Sequence, residues 1–157
     1  MTEIWFYHLE GGDRFAAVAA LLEKARRRGW RVAVDCGETE RIAALDDYLW
    51  TFSQDAFLAH GTDSDGDADL QPILIRSGPE NRNAAAMRLA IARAALAPAL
   101  DAAAGDAPYE RAILLFDGTD EAELADARAQ WRGLKERGLP LAYWRRDGAG
   151  WRRVEGA

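Results

Sequence analysis

Apolar and polar positions follow two rhythms along this chain, one suited to strands and one to helices. The run Glu3-Ile4-Trp5-Phe6-Tyr7-His8 is short, rich in β-favouring residues and broken by Gly11-Gly12, which predicts a buried strand and a turn. Asp13 stands where a helix cap is needed. From Phe15 through Val18, Leu21, Leu22 and Ala25 the apolar residues recur at helical spacing, and Arg26-Arg27-Arg28-Gly29 supplies cations and a stop. A second strand is predicted over 31–36, and Thr39 opens a second helical pattern through Ile42, Leu45 and Leu49. Strand, helix, strand, helix is the signature of a right-handed βαβ unit with a parallel sheet.

Farther along, residues 61–69 are too polar to pack and read as a surface loop, followed by a third strand over 71–75. Between Ala84 and Ala104 the signals conflict: alanine propensity favours helix, whereas the alternation Met87, Leu89, Ile91 favours strand. The reading adopted is a strand near 87–91 with irregular or short helical structure after it. Residues 112–118 predict a buried strand, and 121–138 a helix capped by Thr119 or Asp120 and stopped by Gly138. A hairpin over 140–146 and 151–154, turning at 147–150, closes the chain. There is no repeat and no linker-like stretch. The pattern predicts one α/β domain over 1–157: a three-layer Rossmann-like fold with a mainly parallel central sheet, helices on both faces and a C-terminal hairpin.

Composition narrows the chemistry. At 157 residues, with 49% hydrophobic and 29% charged, the chain suits one globular core. Its one cysteine, Cys36, excludes an internal disulfide framework, and its two histidines leave little for a zinc site. An acidic residue stands near the start where a signal peptide is basic, and no apolar run approaches the ~20 residues that span a bilayer. The expected setting is the reducing cytoplasm. Net charge is −6 but unevenly divided: residues 1–127 carry 12 Lys and Arg against 23 Asp and Glu, and residues 128–157 carry 8 against 3. A basic end therefore sits on an acidic body.

Catalytic and ligand motifs do not emerge. The turn His8-Leu9-Glu10-Gly11-Gly12-Asp13 matches neither GxGxxG nor GxxxxGK[ST], and its acids would repel phosphate, so no nucleotide-binding loop is expected. Asp63, Asp65, Gly66 and Asp69 fit part of a calcium-loop register, but Gly61 and Pro72 occupy its first and last ligand positions, leaving a solvated acidic loop. Cys36 at a strand end and His8 on a neighbouring strand could approach each other, yet no nucleophile-elbow motif supports them. His60 has no partner at metal-ligand spacing. No catalytic residue, metal site or cofactor is assigned.

The last long helix offers binding chemistry instead. At about 100° per residue, Leu124, Ala127, Trp131 and Leu134 form one apolar arc, with Arg128 and Lys135 along its edge. A broad ring flanked by cations suits a ligand with an apolar tip and a carboxylate. The stretch LDDYLWTFSQDAFLAHG adds Trp50, followed seven residues later by Phe57 and three further by His60.

With IWFYHL at the start, QPILI in the middle and ARAQWRGLKERG in the final helix, the sequence resembles the chi family, clamp-loader accessory subunits of bacterial DNA polymerase III holoenzyme. The resemblance implies a Rossmann-like fold that binds no nucleotide and a non-catalytic role in DNA replication. It implies that the chain grips the acidic, Pro-Phe-ending C-terminal tail of single-stranded DNA-binding protein, links it to the clamp loader and, in many relatives, binds the psi subunit. A DNA helicase competing for the same surface is compatible with it, and DNA would be held only indirectly. Carried over residue by residue, it implies a tail pocket of Trp50, Phe57, Arg128, Trp131 and Lys135, within a positive field from Arg132, Arg145 and Arg146. Two rivals stand beside this reading: a degenerate small-molecule enzyme on the same sheet, and direct single-stranded nucleic-acid binding by the basic, Trp-bearing hairpin.

Overall fold

The computed structural model describes residues 2–55, 57–103, 109–148 and 150–155. Eight strands form one sheet: β1 (Glu3–Leu9), β2 (Val32–Cys36), β3 (Gly61–Thr62), β4 (Ile73–Arg76), β5 (Met87–Ile91), β6 (Arg111–Asp117), β7 (Leu141–Asp147) and β8 (Gly150–Val154). Their order is β3-β4-β2-β5-β6-β1-β7-β8, parallel throughout except for the terminal antiparallel β7–β8 hairpin. Four helices, α1 (Arg14–Arg27), α2 (Thr39–Thr51), α3 (Leu96–Ala103) and α4 (Glu121–Glu136), divide between the two faces.

Strand alternation sets that division. Tyr7, Leu9, Ile113 and Leu115 point into a core shared with Leu21 and Leu22 of α1 and Leu45 and Leu49 of α2. Ile4, Phe6, Leu114 and Phe116 point the other way, into a core shared with Leu96 of α3 and Ala127 and Leu134 of α4. Because helices cover both sides of the middle strands, a run such as Ala112-Ile113-Leu114-Leu115-Phe116 is buried without interruption.

The helix ends follow the sequence. Asp13 accepts from the Ala16 amide at 3.1 Å, and Asp120 caps α4 by accepting from the Ala122 and Glu123 amides at 3.0 and 3.1 Å. Gly138 stops α4 at φ 75°, a conformation that costs other residues a steric penalty.

Three expectations change. Cys36 and His8 are not on neighbouring strands, because β5 and β6 lie between β2 and β1. Residues 61–69 are not simply a solvated loop: Gly61 and Thr62 form the buried edge strand β3, and two 3₁₀ turns follow at Asp63–Asp65 and Ala68–Leu70. Local pairing offsets the polarity there, since Asp65 accepts from the Thr62 amide at 2.9 Å and Asp63 pairs with Arg76 at 2.7 Å. The strand predicted from Gln71 begins at Ile73.

One buried charge escaped the sequence pattern. Arg88 on β5 is 1% exposed and pairs with Asp35 of β2 at 2.6 Å, while also donating to the Gly78 carbonyl and to the Tyr109 hydroxyl. It ties the segment before β5 to β2 and β5 of the sheet.

Candidate functional site

The first turn of α4 aims its capped N-terminus at the β6 end, and the following turns lay Ala127 and Trp131 against the sheet. Between α4 and β7 this leaves a cleft of about 190 Å³, lined by Phe116, Ala127, Arg128, Trp131, Arg132 and Tyr143. Trp131 is half-buried. Its indole meets Phe6 edge-on with ring centres 5.1 Å apart, and Tyr143 edge-on at 5.4 Å. Those contacts fix the ring while part of it faces the cleft. Arg128 and Arg132 are exposed at its margin, so the walls are apolar and the mouth is cationic.

The far wall is held from behind. Tyr143 and His8 share a 2.6 Å hydrogen bond at Nδ1, His8 Nε2 lies 3.0 Å from Glu10, and Glu10 also pairs with Arg145. Burial pushes the His8 pKa below its ordinary value despite the opposing pull of Glu10, and burial pushes the Tyr143 phenol up against the effect of Arg145 and Arg128. A neutral His8 accepting from the Tyr143 hydroxyl and donating Nε2–H to Glu10 satisfies every member of this chain. Gly118 is required beside it, because a Cβ there would sit 1.9 Å from His8 Nε2.

The sequence-predicted residues separate into groups. Arg128 and Trp131 lie together in the cleft with Arg132 beside them. Lys135 is exposed one turn beyond Trp131, outside the lining. Arg145 faces the α4 side, since it pairs in register with His8, whereas Arg146 points through the opposite face and stacks over Trp151 at 5.0 Å. Only Arg145 can support the cleft, and its charge is partly offset by Glu10. Arg152, directly across from Arg145 on β8, shares the α4 side and is exposed. Sequence reasoning missed Phe116, Tyr143, His8 and Arg152; strand register would have shown the last, but the register was unknown.

Trp50 and Phe57 do not join this cleft. They are 53% and 68% exposed, with ring centres 5.7 Å apart, and Trp50 also contacts the buried His60 at 4.6 Å. His60 is locked between the Leu58 carbonyl at 2.6 Å and Asp46 at 3.1 Å, which makes it a support for the indole. Trp50 stands on α2, which packs over β2 and β4 on the α1 side, and Phe57 lies in the segment that follows it. Three strand steps, about 14 Å, and the thickness of the sheet separate this patch from β6 and α4.

Open α/β sheets hold small ligands at the carboxyl ends of their strands. There, between α1, β5 and β6, a space of only about 20 Å³ is bordered by Arg14, Arg41 and Glu123. Glu123 is 3% exposed, pairs with Arg14, and lies 3.6 Å from Arg41. A buried carboxylate thus consumes the cations that could meet a phosphate. Among the described residues no group of three or more His, Cys, Asp or Glu could hold a metal ion, and no helix is long and apolar enough to cross a membrane.

Residues 1–142 match the family model described as DNA polymerase III chi subunit, HolC. The chain belongs to the chi subunit family of DNA polymerase III. It is 28% identical over 146 residues to DNA polymerase III subunit chi of Pseudomonas aeruginosa, covering 90% of this chain and 94% of that protein. It is 25% identical over 117 residues to the probable DNA polymerase III subunit chi of Rickettsia prowazekii, covering 74% of this chain and 71% of that protein. Membership in the chi family implies an accessory role in DNA replication and protein partners within the polymerase complex. The family match includes Arg128, Trp131 and Arg132 and ends one residue before Tyr143, so the far wall of the cleft and the β7–β8 hairpin lie largely beyond it.

Proposed function

We propose that this chi-family chain is a non-catalytic adaptor whose α4–β7 cleft receives the acidic C-terminal tail of single-stranded DNA-binding protein, linking it to the clamp loader. The observation that carries the reading is an apolar cleft about the size of one aromatic side chain with arginines at its mouth. A terminal phenylalanine enters between Trp131, Phe116 and Tyr143, its carboxylate meets Arg128, and the preceding acidic residues run past Arg132, Arg145 and Arg152. Lys135 steers the tail as a point charge without shaping the slot. Trp50 and Phe57 serve a separate contact with another member of the assembly, such as a psi subunit, because exposed paired rings across the sheet cannot line the same pocket.

Calorimetry tests the first contact. The full chain should bind an acidic peptide ending Asp-Ile-Pro-Phe and lose most of that heat when the phenylalanine is deleted. Equal binding of the two peptides would mean that the cleft does not read the terminal ring.

A further inference from the structure

The face of the sheet turned away from α4 carries a second set of rings and cations that the tail cleft does not use. Strand register points Trp5 and Tyr7 of β1, Trp144 and Arg146 of β7, and Trp151 and Arg153 of β8 to this side. Among the described residues no helix packs broadly on β7 or β8, so the rings close the face themselves. Trp5 and Trp144 lie 5.3 Å apart, and Tyr7 and Trp151 lie 4.3 Å apart.

Guanidinium groups are threaded between those rings. Arg111 lies 3.7 Å from the Trp5 ring centre and 5.2 Å from that of Trp30, Arg28 lies 4.2 Å from Trp30, and Arg146 lies 5.0 Å from Trp151. Two clefts flank the Trp5 indole: one of about 340 Å³ toward Trp144 and Arg153, and one of about 220 Å³ toward Lys24, Arg28 and Trp30. Against the cations Lys24, Arg28, Arg111, Arg146 and Arg153, this strip holds Glu3, paired with Arg111 at 3.0 Å, and Glu155, 3.8 Å from Arg153. The strip is therefore positive on a chain whose net charge is −6.

We propose that this face binds single-stranded nucleic acid, with bases laid against the indoles around Trp5 and phosphates held by the exposed Arg28 and Arg153 and the half-buried Arg146. An apolar-tipped peptide needs one apolar slot with charge at its mouth, which is the lining of the cleft across the sheet. This strip instead spreads over about 14 Å from β6 to β8 by strand spacing, and it alternates ring and cation. That alternation complements a polymer that repeats a planar base and a phosphate in every unit. Part of it, Trp144 to Arg153, lies beyond the residues matched by the family model. Because the remainder of the molecule is acidic, the contact is weak and salt-sensitive.

Fluorescence anisotropy of a labelled oligothymidine with the full chain tests this. Saturable binding is expected, in the range of about 10⁻⁴ to 10⁻⁶ M usual for sequence-independent contacts at physiological salt and tightening as salt falls. The double variant R146Q/R153Q should weaken it and flatten the salt slope by roughly 1.4, two phosphate contacts at about 0.7 each. The double variant R145Q/R152Q removes the same charge from the neighbouring positions on the opposite face, and should leave the oligothymidine isotherm nearly in place while weakening the acidic peptide. Equal losses from the two doubles would show diffuse attraction and overturn the assignment. So would absence of saturation, equal binding of an abasic oligonucleotide, or displacement of the oligothymidine by the acidic peptide at concentrations that fill the α4 cleft.

Discussion

Arg128→Ala isolates the contact on which the adaptor reading depends most. Arg128 is exposed at the margin of a cleft whose interior is apolar, so its field acts through a medium between protein and water. Two unit charges 4 Å apart interact by about 1 kcal/mol in water and about 4 kcal/mol at an effective dielectric constant of 20. A fork-shaped pair at such a margin should therefore contribute about 2 kcal/mol, or roughly a 30-fold change in affinity. The assay is a double-mutant cycle by calorimetry: wild type and R128A, each against a Phe-ending acidic peptide with a free carboxylate and against its C-terminal amide. R128A should weaken the acid peptide by the full factor and the amide by little, because the amide has already lost the charge that Arg128 meets. Arg128→Lys should fall between them, since it keeps a point charge and loses the planar fork. If R128A weakened acid and amide by the same factor, Arg128 would supply only general field, and the carboxylate would have to sit elsewhere along the mouth.

The remaining predictions test other parts of the molecule. The double variant W50A/F57A should leave peptide affinity within about twofold and stability within about 0.5 kcal/mol, because both rings are largely exposed, while abolishing co-purification with a clamp-loader partner; a large loss of peptide affinity would rejoin the two patches. Asp35→Ala should cost about 3–5 kcal/mol in urea unfolding by stranding the buried Arg88 charge, and adding Arg88→Met should recover much of it; an additive double variant would deny the coupling. His8 has a folded pKa below its ordinary value because of burial, so its contribution to stability is present above about pH 6.5 and is lost as pH falls through that value toward the lower folded pKa. The difference in unfolding free energy between wild type and His8→Gln should thus change over that window, and a flat difference between pH 7 and pH 5 would show that His8 does not titrate on unfolding.

Much of the fold was legible because its signals are local. Runs buried on both faces, helical apolar spacing, Asp13 and Asp120 as caps and Gly138 as a stop each act within a few residues, and each appears where the pattern puts it. The short strand β3 was hidden because two residues have no periodicity, and the polar groups around it are satisfied by partners as distant as Arg76. Arg88 was hidden for a related reason. Its place in an alternating strand looked ordinary, while the partners that allow it to be buried, Asp35 and Tyr109, come from elsewhere in the chain.

The site was half legible, and the missing half was strand order and register. Helical spacing alone puts Arg128 and Trp131 on one strip, because three residues span nearly a full turn. No spacing within α4 could name its opposite wall, which depends on β7 lying beside β1 so that Tyr143 pairs with Phe6 and Arg145 with His8. The same register divides the basic hairpin, whose adjacent arginines Arg145 and Arg146 look like one patch in sequence but leave the sheet on opposite sides. The basic end of the chain is consequently two surfaces of different chemistry: an apolar cleft with Arg128 and Arg132 at its mouth and Arg145 and Arg152 on the same side of the sheet, and a strip in which Arg111 and Arg146 stack on tryptophans. Charge removed from one strand position should therefore affect one ligand and spare the other, and a shift of one residue along β7 should exchange the effects.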